Sequence, residues 1–407
     1  MSLTTTLAHK RIEEYHRLRD TVGLSRHAEL SHTIAMRAMD LLRRVRFGIG
    51  EKWMEMLRDW CHFPHLKNEM SVWNFSLGGI NIQYPVGIAA GMFKDVSRVP
   101  WELFGEGGMQ VGFITIGWIT RFAQPGNPKK RHFSFPNKTW LGGDGINRYG
   151  LNNAGVASAR DSLRLARKQW RIPEWLPIVA NICNGAATLE KDKPWELRRI
   201  TQLIIDEVDV IEVNISCPNQ LGAKELWEKR ELLRESLRGV HEEANGKPIF
   251  LKISPDTSDE MLEMIIEVSR EFVTGYSSTN TTTDQTIRND ILTRAGYQDI
   301  IGKEVSQLSP KKEHGEITLL AGGISGNSLL PKQLNTTARI RELAPEKYII
   351  GIGGIGDEIS AGKTIIAGAQ AIALYSRLAQ DGPGVIPLVN IGASQTIEAV
   401  ARASAHA

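Results

Sequence analysis

Hydrophobic positions along the chain fall into two textures. From Leu30 the apolar side chains Ile34, Ala38, Leu41, Leu42 and Val45 recur with a helical period, with Arg37, Arg43, Arg44 and Arg46 interspersed. Past Gly48 and Gly50, Trp53, Met56, Leu57 and Trp60 stand at i, i+3, i+4 and i+7. The spacing predicts a helical hairpin in which each helix carries one apolar stripe. Such a pair either caps a main domain or lies in a membrane interface, as basic, Trp- and Met-rich helices do.

After about residue 77 the texture changes to short β-type runs separated by longer helical or irregular stretches. The runs are Val86–Ala90, Gly112–Ile116, Ile178–Ile182, Val210–Asn214, Ile249–Ile253, Gly275–Thr279, Tyr348–Ile352 and Ala371–Tyr375. Several of them are continuous apolar runs, as expected of parallel strands covered on both faces. Eight such runs over roughly 300 residues predict an α/β fold, a (β/α)8 TIM barrel with the helical hairpin as an N-terminal extension. A doubly wound sheet is the alternative, but it would place its Gly-rich turn after the first strand. The expected division is residues 1–70 for the extension and 71–407 for the barrel. Two connections, 117–177 and 281–347, exceed a simple βα unit and are expected to hold insertions near the active face.

Composition narrows the classes. With 42% hydrophobic and 23% charged residues, the 407-residue chain can bury a core, which excludes wholesale disorder. A net charge of +3 argues against a nucleic-acid partner. Cys61, Cys183 and Cys217 lie far apart without C-x-x-C spacing. A disulfide framework and a metal site are therefore not expected, and a reducing compartment is. No apolar run approaches the roughly 18–20 residues that span a bilayer. Glu13, Glu14 and Asp20, with no apolar stretch beside them, fit neither a secretory signal nor an acid-poor transit peptide.

In a barrel of this kind chemistry gathers at the C-terminal strand ends. There the sequence offers Gly91 and Lys94, Asn181, Asn214 through Asn219, Lys252, Thr279 through Thr282, Gly353 and Gly354, and Tyr375 with Ser376. One amide at a strand end is usually a turn residue; polar groups from five strands converging on one mouth are not explained by turns. The pairs in Gly322–Gly326 and Gly351–Gly354 let backbone N–H groups approach an anion, although tight turns use the same residues. No strand–G-x-G-x-x-G–helix unit accompanies them, so a mononucleotide such as FMN fits better than a dinucleotide. Lys252, inside an apolar run, suits a cation facing a ring that becomes anionic on reduction. Lys94 reads either as a ligand or as a snorkelling surface lysine. Cys217 reads as a buried structural cysteine or, from its place before Pro218 and Asn219, as a base with a free-thiol pKa near ~8.5 to perturb.

Taken in order, Pro85–Lys94, Gln124–Pro128, Ile146–Asn153, Asn214–Asn219, Leu251–Asp256, Thr279–Thr282, Gly322–Gly326 and Ile350–Gly354 resemble the dihydroorotate dehydrogenase family, and the likeness spans about 28–388. The resemblance implies oxidation of dihydroorotate to orotate on an FMN-bearing barrel. It places Ala90, Gly91, Asn181, Lys252, Thr279, Gly323, Gly354, Tyr375 and Ser376 at FMN. It places Lys94, Asn147, Asn214, Asn219, Asn280 and Thr281 around the substrate, where amides match a ring carrying amide donors and acceptors and Lys94 matches a carboxylate. Cys217 falls at the family's base.

The subfamily signals disagree. The N-terminal hairpin resembles the membrane-associated, quinone-reducing class 2 enzymes, and His32, Arg131 and Tyr375 fall where that class lines its quinone tunnel. A cysteine base is typical of the soluble class 1 enzymes. Trp118 and Phe93 also depart from the family, which has a small hydroxyl residue and an acid there. A whole extra domain is harder to acquire than one Ser-to-Cys change, so the expectation is a quinone acceptor and a peripheral position on the cytoplasmic face of a bacterial inner membrane. Fumarate or NAD as acceptor, another cyclic substrate, and a catalytically silent barrel are the alternatives.

Overall fold

The computed structural model describes residues 2–21, 49–72, 74–128, 131–136, 142–169, 171–215, 229–301 and 319–405. A short hairpin, β1 (Phe75–Leu77) and β2 (Ile80–Ile82), precedes the barrel. Eight parallel strands then close on themselves: β3 (Val86–Phe93), β4 (Ile114–Ile119), β7 (Ile178–Ile182), β8 (Val210–Asn214), β9 (Ile249–Ile253), β10 (Gly275–Ser278), β12 (Tyr348–Ile352) and β13 (Ala371–Leu374). All eight runs expected as strands are these strands, shifted at most by a few residues at their ends. Helices such as Lys193–Ile204, Arg230–Glu243 and Leu330–Leu343 cover the outside.

Strand alternation sorts the side chains. Ile211, Val213, Leu251 and Ile253 point outward and join the large core shared with the helices. Phe113, Val179, Val210 and Phe250 point inward and, fully buried, plug the base of the barrel. Two residues further along the same strands the inward positions become polar: Thr115, Asn181, Glu212 and Lys252. The barrel is thus a filled core with a polar layer stacked on an apolar one.

Both long connections carry insertions, as expected, and the two insertions meet. β5 (His132–Pro136), β6 (Gly143–Asn147) and β11 (Gly323–Gly326) form one antiparallel sheet, with β6 central and Asn147 opposite Gly323. Its apolar side rests on Ile291, Leu292, Ile300 and Leu319. An isolated bridge from Thr282 to Ile324 ties this sheet to the end of β10. Gly322–Gly326, expected as a phosphate-binding turn, is therefore mostly a strand. Its small residues let β11 lie against β6, where a Cβ on Gly326 would come within 2.2 Å of the Gly143 carbonyl.

The N-terminal region differs most from expectation. The first helix of the expected hairpin lies outside the described residues. Its second helix is present as α2 (Ile49–Cys61), but its stripe is divided. Met54 and Cys61 are buried, whereas Trp53 and Met56 are 49% and 50% exposed. A further helix, α1 (Leu3–Thr21), was not expected. It packs on the C-terminal helix Val385–Ala405, burying Ala8 and Ile12 completely, and Thr5 Oγ1 donates to Glu358 Oε1 at 3.0 Å. Too few large apolar residues line that face for periodicity to reveal it. Among the described residues no helix is long and apolar enough to cross a membrane.

Candidate active site

The polar layer is a connected network at the middle of β7, β8 and β9. Register sets Asn181 beside Glu212, and Asn214 beside Lys252. Asn181 Nδ2 donates to Glu212 Oε2, and the same carboxylate oxygen lies 3.6 Å from Lys252 Nζ. Asn214 Nδ2 reaches Asn181 Oδ1 at 3.3 Å, and Asn280 Nδ2 reaches Asn214 Oδ1 at 3.4 Å. Both charges are almost wholly buried, so each removes the cost of burying the other. Glu212 was not anticipated. Its signal was an acid inside an apolar strand, two residues before Asn214 on the same face.

Above this layer opens a cavity. Ala90, Gly91 and Lys94 from the end of β3, Lys252, Thr279, Asn280 and Thr281, Gly353 and Gly354, and Tyr375 and Ser376 line it, together with Asn147, Ser325 and Gly326 from the capping sheet. Gly353 and Gly354 take φ of 127° and 74°, a left-handed conformation that exposes backbone donors at little cost to glycine. Lys94 Nζ sits 3.1 Å from the Tyr149 ring centroid and 5.8 Å from that of Trp118, a cation–π arrangement inside the cavity. Trp118 also lines it, and its buried indole Nε1 has no hydrogen-bond partner among the described residues. A glycine cradle at one side, apolar Ala89, Ile352 and Ala373 beneath, and amides and lysines around the rim suit a planar, phosphate-bearing ligand beside a second small polar one.

A second cavity lies between the N-terminal helices and the barrel. Leu57 and Trp60 of α2, Phe93, Phe104, Met92 and Leu103 make it apolar, with Tyr15 and Arg19 of α1 at its edge. Phe93 packs edge-on against Phe104, with centroids 6.1 Å apart. The phenylalanine that departs from the family thus makes an apolar wall. Tyr149, Tyr375 and Ser376 border both cavities. His132 Nδ1 lies 3.1 Å from Tyr149 Oη, and its ring stacks on Tyr375 at 6.5 Å. One aromatic partition therefore separates the two spaces.

Of the residues expected at the site, Ala90, Gly91, Lys94, Asn147, Lys252, Thr279, Asn280, Thr281, Gly354, Tyr375 and Ser376 line the first cavity. Asn181 and Asn214 lie just beneath, joined to it through Asn280. Gly323 stands behind Asn147, whose Nδ2 donates to the Gly323 carbonyl at 3.4 Å. Cys217, Asn219 and His32 lie outside the described residues. Arg131 lines neither cavity; it reaches the Pro125 and Asn127 carbonyls, and His132 next to it borders the second cavity instead. Tyr149 and His132, missed in the sequence, are brought to the partition by antiparallel pairing within the capping sheet, which no local pattern reveals.

Fold and site together define an α/β-barrel enzyme whose cofactor cavity adjoins a separate apolar chamber. The family model for dihydroorotate dehydrogenase matches residues 73–395. The chain belongs to the dihydroorotate dehydrogenase family, flavin-dependent oxidoreductases. Among curated relatives, "Dihydroorotate dehydrogenase (quinone)" of Crocosphaera subtropica is 29% identical over 91% of this chain and 90% of its own. The protein of the same name from Clavibacter michiganensis subsp. michiganensis is 32% identical over 77% and 82%. In fold the chain is similar to the crystal structure of the Eimeria tenella DHODH in complex with ferulenol, with a TM-score of 0.69 at 23% identity, covering 93% of this chain and 92% of that one.

Proposed function

We propose that the chain oxidises dihydroorotate to orotate with FMN in the first cavity and passes the electrons to a quinone in the second. The observation that carries this is the pair of cavities sharing one partition: one edged by a buried lysine and amides, and an apolar one lined by α1, α2 and the barrel. FMN, when bound, supplies the hydride acceptor. Gly353 and Gly354 suit its phosphate, and Lys252, fixed by Glu212, suits the electron-rich edge of its ring. Lys94, Asn147, Asn214, Asn280 and Thr281 hold and orient the substrate, with Asn219 completing the amide set. Cys217 takes the proton from C5 of dihydroorotate as hydride leaves C6.

The relatives' names carry the quinone, and the apolar lining of the second cavity supports it. Trp53 and Met56, exposed on α2, give the N-terminal region a face for a membrane surface, which would deliver a lipid-soluble acceptor to that chamber. The test is to bleach the bound flavin anaerobically with dihydroorotate and then offer a soluble ubiquinone analogue, fumarate or NAD. Rapid return of the oxidised spectrum with the quinone alone is expected. No bleaching overturns the substrate; recovery with fumarate or NAD and not with quinone overturns the acceptor.

A further inference from the structure

One buried cluster links α1 to the first cavity. Arg377 borders that cavity at the start of the short helix Ser376–Asp381 and is 4% exposed. Its side chain lies in a slot between two glycines. A Cβ on Gly142 would come within 2.6 Å of Arg377 Nε, and one on Gly356 within 2.5 Å of its Cγ, Cζ and Nη1. Gly356 ends the same glycine-rich turn that contains Gly353 and Gly354. Nε donates to Asp381 Oδ2, while Nη2 is buried and has no hydrogen-bond partner among the described residues. Asp381 is 1% exposed; its Oδ1 accepts from the Gly142 N–H at 3.1 Å and faces His16 Nε2 of α1 at 3.0 Å.

Packing does not account for this arrangement. Removing a guanidinium from water is costly, and an apolar side chain would fill the slot at less expense. A buried arginine normally uses its donors, and the NH2 group left over here belongs to a residue bordering the cavity beside the glycine turn. Guanidinium is also the side chain best matched to a phosphate oxygen.

We propose that Arg377 is a ligand of the cofactor's phosphate, oriented by Asp381, and that His16 makes the seating of α1 and the retention of that phosphate mutually dependent. This rests on the flavin reading above. Asp381 holds Nε and so aims the free Nη2; His16 and the Gly142 N–H hold Asp381. Linkage makes the effect reciprocal: if docked α1 strengthens phosphate binding, bound phosphate strengthens the docking of α1.

The test compares FMN with riboflavin, which lacks the phosphate, on the full-length chain stripped of flavin and titrated by fluorescence. Arg377→Met is expected to weaken FMN on the order of 10–100-fold, the range of a charge-assisted hydrogen bond, and to leave riboflavin within about threefold. Because Arg377→Met leaves Asp381 buried, Arg377→Met/Asp381→Asn serves as the better-folded partner and should show the same FMN-selective loss. Amide exchange over Leu3–Thr21 should slow more with FMN than with riboflavin, and His16→Ala should abolish that difference. Equal weakening of both ligands, or of neither, overturns the role of Arg377; exchange in α1 indifferent to the phosphate overturns the coupling. A wild-type chain that binds neither ligand overturns the flavin reading itself.

Discussion

The two cavities meet at one aromatic wall yet are made in opposite ways. The first is built from the ends of consecutive strands, where a period of two places Asn181, Glu212, Lys252 and Asn214 on inward positions of a closed barrel. The second is gathered from α1, α2, β3, the 100–109 segment, His132 and Ser134 of the capping sheet and the stretch after β13. Rigid parallel strands fix polar groups for chemistry on a small ligand. Helices packed from outside leave an apolar chamber that needs shape more than aimed donors. On the proposed placement, the reductive and oxidative halves of the reaction rest on separable pieces of chain.

That separation can be broken from either side. Lys252→Met should have the largest effect. It leaves Glu212 buried without its cation, a loss of about 3–5 kcal/mol, and it removes the cation from the first cavity. Thermal unfolding should show the loss, and Lys252→Met/Glu212→Gln should recover much of the stability without recovering dihydroorotate-driven bleaching. Leu57→Arg comes next. A guanidinium in the apolar chamber should slow reoxidation by a quinone analogue about 10–100-fold, while anaerobic bleaching by dihydroorotate stays within about twofold. Bleaching and reoxidation falling together would mean that the halves are not separable.

The smallest effect concerns acid. Burial works to raise the Asp381 carboxyl, but hydrogen bonds from His16 and Arg377, the Arg377 charge and the Gly142 N–H outweigh it and hold it below the ordinary carboxylate value of 3.8. A group lowered in the folded state contributes stability that is whole above its unfolded value and is lost as pH falls through the folded one. Melting temperature should therefore drop below about pH 4 in the wild type and drop less steeply in Asp381→Asn, measured by circular dichroism.

How much of this was legible depended on range in the sequence. The barrel strands were legible because two-sided burial writes itself as apolar runs such as Ala371–Leu374. The strand-end residues that line the first cavity followed, since their positions are set by the same short segments. Gly322–Gly326 misled because glycine serves a close strand pairing as readily as a turn. Helix α1 was illegible because its buried face is Thr4, Thr5, Ala8 and Ile12, weak in hydrophobicity, and it acquires meaning only from the Val385–Ala405 helix it meets. Tyr149, His132 and Arg377 lie in insertions or after the last strand, so their neighbours are decided by tertiary pairing. Glu212 carried a readable sign, an acid in an apolar strand, whose partner Lys252 stood 40 positions further along the chain.

The Tyr149–His132–Tyr375 partition has a kinetic consequence. On the proposed placement, with the donor on one side of the wall and the acceptor on the other, neither molecule has to leave before the other arrives, and neither competes for the other's place. Double-reciprocal plots at several quinone concentrations should run parallel, and a blocker lodged in the apolar chamber should not compete with dihydroorotate. Variation among Leu57, Phe93 and Phe104 can then retune the choice of oxidant while the pyrimidine chemistry is conserved intact.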